Sequence, residues 1–164
     1  VGRGEAVGQA VSDNQRGRIK MSDVKNAQRT APAEEPAEIL KKSRTIAVVG
    51  ISDKEERDSH KVAKYLKSHG YRIIPVNPKL TEVLGEPCYP DLKAVPEHID
   101  VVDIFRSIDA IPGIVEEAIA VGADAIWMQL GLHHDEAAEK ARRQGLAVVM
   151  NKCMKIEHSH LGDS

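Results

Sequence analysis

Three junctions of one kind constrain what this chain can fold into: a helical stretch stops at a glycine, and an apolar, β-branched run begins within a few residues. They lie at Gly70, before Tyr71–Val76; at Gly122, before Ala125–Gln129; and at Gly145, before Leu146–Met150. Glycine enters the left-handed conformation that ends a helix without a Cβ penalty, so each junction reads as a helix stop feeding a strand. Two more apolar runs, Thr45–Gly50 and Ile99–Phe105, complete the set. Strands that are apolar on both faces and alternate with helices belong to a parallel sheet covered on both sides. The expected fold is α/β, a Rossmann-like doubly wound parallel sheet of about five strands with helices on both faces.

The helices between these runs follow the same logic. A short one starts at Pro36 and runs through Leu40 to Lys42. The next spans about Ser59 to His69, with Val62, Ala63, Tyr65 and Leu66 on one side and Ser59 as its expected cap. Asp109–Val121 carries Ile111, Ile114, Val115, Ala118 and Ile119 at helical spacing, and Asp135–Gln144 is the last. Lys79–Pro96, punctuated by Gly85, Pro87, Pro90 and Pro96, reads as a long connection with one helical turn at Asp91–Ala94. Residues 1–36 show no sustained apolar period and end in APAEEP, which predicts a flexible or disordered extension; Met21 reads as a start, with 1–20 an added or upstream segment. Residues 37–164 are expected to form a single domain.

Composition narrows the function classes. Charged residues make up 29% and the formal net charge is −2, so nothing draws the chain to nucleic acid or an anionic membrane. No apolar run approaches the roughly 18 residues of a membrane span, and no signal-peptide core is seen. Cys88 and Cys153 are far apart and form no CxxC pair, against a disulfide scaffold or zinc knuckle. The reading is a cytoplasmic protein with a small-molecule or protein partner, its oligomeric state open.

In doubly wound folds ligands bind at the carboxyl ends of the strands. Gly50, Ser52 and Arg57 follow the first strand, with Ser59 at the helix start; Asn77, Pro78 and Lys79 follow the second; Arg106 the third; Gln129 and Gly131 the fourth; Asn151, Lys152 and Cys153 the fifth. Arg57, Lys79, Arg106 and Lys152 together suit a polyanionic ligand such as a nucleotide. The first loop has no GxGxxG, and Asp53, Glu55, Glu56 and Asp58 give it an excess of negative charge. A phosphate here needs backbone N–H groups, the serine hydroxyls and an inward Arg57, with the carboxylates turned to water. An NAD site wants an acidic residue after the second strand to meet the ribose hydroxyls, whereas a phosphorylated ribose wants a cation. Asn77-Pro78-Lys79 therefore disfavours NAD and leaves NADP or coenzyme A.

The blocks IAVVGIS, SHKVAKYLKSHGYRIIPVNPK, VVDIFRS, GADAIWMQLGL and GLAVVMNKCMKIEH, in this order, resemble the stand-alone CoA-binding proteins. Those are similar to the N-terminal CoA-binding domain of the succinyl-CoA synthetase α subunit and of related acyl-CoA synthetases. The resemblance covers about residues 39–161 and implies a CoA or acyl-CoA ligand. It implies that Gly50, Ile51, Ser52 and Arg57, with Ser59, meet the diphosphate, and that Asn77, Pro78 and Lys79 lie beside the adenosine and its phosphate. Phe105, Arg106, Gln129 and Gly131 match the blocks that border the cleft. Asn151-Lys152-Cys153 stands where members often have Asp-Arg-Cys.

Relatives that make acyl-CoA use further domains, so the expected role is a sensor, carrier or accessory subunit, with an acyl-CoA synthetase-type subunit as a partner. No catalytic or metal-binding residue is assigned. The alternative is an NADP-dependent oxidoreductase. Cys153 with His158 and His160 could form a thiol nucleophile with a base, or a metal site together with His133 and His134; the simpler reading is a small buried thiol at a strand end and solvent-facing histidines. A mixed disulfide between Cys153 and the CoA thiol is chemically open.

Overall fold

The computed structural model of the protein describes residues 35–163; the extension expected over residues 1–36 lies, up to residue 34, outside the described residues. Strands β1 (Thr45–Val49), β2 (Arg72–Val76), β5 (Val101–Ile104), β6 (Ala125–Met128) and β7 (Ala147–Val149) form one sheet in the order β2-β1-β5-β6-β7, parallel throughout. Between β2 and β5 lies a two-stranded antiparallel hairpin, β3 (Glu82–Val83) and β4 (Glu86–Pro87), where a long connection with no strands and one helical turn is expected from the sequence. Leu84 and Gly85 turn it with φ of 57° and 77°, the paired positive values of a tight hairpin turn. The expected turn at Asp91–Ala94 is a 3-10 helix over Leu92–Ala94, with the Asp91 carboxylate accepting the Ala94 N–H.

Helices α1 (Pro36–Lys42), α2 (Asp58–Ser68) and α5 (Met154–Ser159) cover one face, and α3 (Ile111–Val121) and α4 (Asp135–Arg143) the other. Alternation in the strands divides the core accordingly. Ile46, Val48 and Trp127 pack with Ile39, Val62, Leu66 and Met154; Ala47, Val49, Ile104 and Ile126 pack with Ile111, Val115, Ala138 and Ala141. The α5 helix was not expected from the sequence. The helix stops are as read: Gly70, Gly122 and Gly145 all have positive φ, between 76° and 95°.

One core residue breaks the apolar pattern. Asp103, in β5, sits in register between Val48 and Trp127, is fully buried, and neither carboxyl oxygen has a hydrogen-bond partner. Burial pushes its pKa well above the usual carboxylate range, so the group is held toward its neutral form. Among the described residues no helix is long and apolar enough to cross a membrane.

Candidate functional site

The sheet order fixes where a site can form. From β1 the chain crosses to β2 on one side, and the later strands extend the sheet on the other, so the topological switch lies between β1 and β5. The loops leaving these two strands part there and leave a crevice. Gly50, at φ 91°, lies so close to the β5 exit that a Cβ would sit 2.5 Å from the Phe105 carbonyl oxygen and 2.8 Å from Arg106 Cδ. Glycine is required at this position on both counts.

Beyond Gly50 the loop is held by its own polar groups. Ser59 Oγ accepts the Ser52 N–H at 2.9 Å, Ser52 Oγ accepts the Lys54 N–H at 3.0 Å, and the His60 ring meets the Ser52 carbonyl at 3.0 Å. Ser59 is therefore not the helix cap: Arg57 holds that position without a side-chain bond, and the Ser59 hydroxyl, inside the first turn, is drawn to the loop instead. Gly50, Ser52, Arg57, Asp58, Ser59 and Phe105 line a pocket of about 300 Å³ at the start of α2, where the helix dipole favours negative charge. Asp53, Glu55 and Glu56 are exposed, as phosphate binding requires; Asp58 is exposed too but stands on the pocket wall.

A larger cavity, about 490 Å³, adjoins this pocket through Asp58 and Phe105. Phe105, Arg106 and Gln129 bring in the β5 and β6 exits, and Val62, Leu130, Leu132, Cys153 and Ile156 make its walls largely apolar. Leu130, at 65% exposure, and Ile156, at 47%, are large apolar groups left uncovered at its edge. Lys61 and Lys155 also line it.

The remaining predicted residues play other parts. Ile51 is fully buried, which leaves only its backbone near the loop surface, and its carbonyl accepts Asn77 Nδ2 at 2.8 Å. Asn77 Oδ1 accepts the Lys79 N–H at 2.8 Å. The Asn77 side chain is thus spent in tying the β2 exit to the β1 loop and in shaping the Pro78-Lys79 turn, which leaves Lys79 outside with no ion pair among the described residues. Gly131, at φ 91°, donates its N–H to Asn151 Oδ1 at 2.7 Å, joining the β6 and β7 exits; neither it nor Asn77, Pro78 or Lys79 lines the two cavities described.

The histidines near Cys153 in sequence point elsewhere. His158 Nδ1 bonds the Tyr65 hydroxyl at 3.0 Å and packs against His69 and Tyr71; burial, with the His69 ring beside it, lowers its pKa. His134 caps α4, and His133 lies 3.3 Å from Asp135. Among the described residues the side chains close enough to share a metal ion are His98, Asp100 and Asp124, at the opposite end of the sheet. Of the cavity-lining residues, Lys61, Leu130, Leu132, Lys155 and Ile156 were not singled out from the sequence, and Val62 was read only as part of the apolar side of its helix. The signal was Leu130, an apolar residue beside Gly131 that is left 65% exposed while its neighbour Leu132 packs against the core.

The family model for the CoA binding domain matches residues 44–159. The chain is 42% identical over 122 residues to the uncharacterized protein YneT of Bacillus subtilis, covering 74% of this chain and 90% of that one. It is 31% identical over 128 residues to the ADP-forming acetate-CoA ligase I of Archaeoglobus fulgidus, where the match spans 72% of this chain and only 19% of the ligase. Among solved structures, a hypothetical protein from Pyrococcus horikoshii superposes with a TM-score of 0.76 at 42% identity, covering 86% of this chain and 99% of that one. The chain belongs to the CoA binding domain family.

Proposed function

We propose that this domain binds coenzyme A or an acyl-CoA along the carboxyl ends of its strands, as a sensor, carrier or accessory subunit without catalysis of its own. The observation that carries the reading is the row of recognition groups along the carboxyl ends of β1, β2 and β5, where the Ser52 and Ser59 oxygens each accept one loop N–H and keep their O–H donors for a ligand. The Gly50–Ser59 corner offers a helix start and hydroxyls to a diphosphate, Lys79 offers a free cation to a phosphorylated ribose, and the adjoining cavity offers apolar walls to the pantetheine arm. Arg57 and Arg106 add positive charge on either side of the corner. An acyl-CoA synthetase-type subunit is the partner that the ligase match supports, since there the same kind of domain occupies a fifth or less of a longer chain.

The cation at the β2 exit suits the 2′-phosphate of NADP as well as the 3′-phosphate of CoA, so these ligands must be compared directly. Calorimetric titration with CoA, NADP and NAD is expected to show saturable binding of CoA and little heat with NAD. Tight NADP binding with none of CoA would replace this reading with the oxidoreductase.

A further inference from the structure

The larger cavity holds two groups that the nucleotide end of a ligand leaves unexplained, a buried carboxamide and a thiol. Gln129 follows β6 and is 5% exposed. Its Oε1 accepts the Met154 N–H at 3.1 Å, so Nε2 is the free end, with no partner among the described residues. It is also not sealed: the buried side-chain atoms without a partner are the two Asp103 oxygens, and Gln129 lies on the cavity wall. Two N–H donors therefore open into a space whose charged lining groups, Lys61, Arg106 and Lys155, are donors too, with Asp58 the one carboxylate, and the acceptor that would satisfy them is a ligand carbonyl. Cys153, half-buried, lies on the wall of the same cavity.

Spacing along the sheet relates these groups to the parts of CoA. Adjacent strands lie about 4.8 Å apart, which puts the β6 exit about 10 Å and the β7 exit about 14 Å from the β1 exit. From the phosphate oxygen to the sulfur, the pantetheine arm has about as many bonds as four peptide residues, so it reaches roughly 14 Å when extended. A diphosphate seated at Gly50–Ser59 would carry an amide carbonyl past Gln129 and bring the sulfur to Cys153.

Resting on the CoA reading, we propose that Cys153 is a thiol–disulfide exchange site for CoA, with Gln129 positioning the arm. The Cys153 thiolate attacks one sulfur of CoA disulfide. The Cys153 Sγ–S(CoA) bond forms, the bond between the two CoA sulfurs breaks, and the departing CoA thiolate takes up the proton that Cys153 released. The number of disulfides is unchanged and no further oxidant is needed; a small thiol reverses the step by the same route. Cys88 supplies an internal comparison. Its thiol donates to the Asn77 carbonyl at 3.6 Å, burial pushes its pKa up, and it packs against the core away from the cavity wall.

The test is intact-protein mass spectrometry of the full chain after incubation with CoA disulfide or, separately, glutathione disulfide. The wild type and Cys88→Ser are expected to gain one CoA unit, removed by dithiothreitol, and Cys153→Ser none. Because a bound arm holds its sulfur at millimolar effective concentration, CoA disulfide at micromolar levels should react roughly 100-fold faster than glutathione disulfide. Equal rates with the two disulfides, or labelling at Cys88, would overturn the inference, since any accessible thiol does as much. Calorimetry of Cys153→Ser with reduced CoA separates the two layers: binding there without adduct in the wild type defeats the exchange alone, and no binding defeats the CoA reading beneath it. Gln129→Glu keeps the acceptor for the Met154 N–H and removes the donors. It should slow the CoA disulfide reaction about ten-fold and leave that of glutathione disulfide unchanged; an unchanged CoA disulfide rate would overturn the role given to Gln129.

Discussion

The two ends of the sheet use charge in opposite ways. At the amino ends, Asp100 Oδ2 accepts the Arg44 and Thr45 N–H groups at 2.7 and 2.9 Å, and His98 pairs with Asp124 at 3.0 Å. Arg72 holds Glu97 through two parallel bonds of 2.7 and 2.6 Å, which lowers the Glu97 pKa and raises that of Arg72. At the carboxyl ends, Arg57, Lys79, Arg106 and Lys152 have no ion pair among the described residues. Charges at the amino ends are spent on joining strand starts to loops. Those at the carboxyl ends are available to a ligand, and the proposed site rests on that asymmetry, because the fold by itself specifies no function.

Glycine at the two ends gives the largest test of the contrast. Gly50→Ala places a Cβ against backbone at a positive φ, and the combined strain and overlap should cost about 3 kcal/mol or more. Gly122, which ends α3 next to β6, has φ 76° but nothing within 4 Å of a Cβ, so Gly122→Ala should cost only about 1 kcal/mol. Urea midpoints measure both, and the Gly50 variant should also lose CoA binding when tested below its unfolding transition. Equal losses at the two sites would mean that the approach of Gly50 to Phe105 is not tight in solution.

Next in size is Lys79→Ala. A free cation facing the ribose phosphate should contribute about 1.5 kcal/mol, so CoA binding should weaken about ten-fold. Dephospho-CoA, which lacks that phosphate, should bind the variant and the wild type alike. Equal weakening for both ligands, read by calorimetry, would move Lys79 away from the ribose and leave the distinction from NAD without its carrier.

Much of this arrangement was legible in the sequence because it is written in periodicity. Apolar runs of five to seven residues alternating with helices, three of which stop at glycine, specify a parallel sheet, and the sheet's handed connections then specify which loops face the crevice. The β3–β4 hairpin was missed because its strands are two residues each and one contains Pro87. The α5 helix was missed because MKIEHS is short and has no apolar face of its own; only Met154 is fully buried. The larger cavity was invisible for a different reason. Leu130, Leu132, Cys153 and Ile156 come from two loops and a short helix, and they share a wall only because β6 and β7 are adjacent. Ser59 and Asn77 show the limit of residue-type reasoning. Both looked like ligand contacts, and both spend side-chain atoms on loop structure.

The smallest effect belongs to the amino ends, and its pH dependence distinguishes a finished charge from a waiting one. The hydrogen bond from His98 to Asp124 raises the histidine pKa, assisted by the charges of Asp124 and Asp100 and opposed by partial burial. A group whose folded pKa is raised contributes stability that is complete below its unfolded value, near 6.5, and is lost as pH rises through the folded value. Both partners are more than half exposed, so solvent screening limits the pair to about 0.5 kcal/mol. His98→Ala should therefore be less stable than the wild type by about that amount near pH 5.5 and nearly equal to it near pH 8.5, by urea denaturation in low salt. CoA affinity should not change at either pH, because His98 lies at the end of the sheet remote from the crevice. A deficit that grew with pH would reverse the sign assigned to the pair, and a loss of CoA affinity would show that the two ends of the sheet are coupled rather than separate.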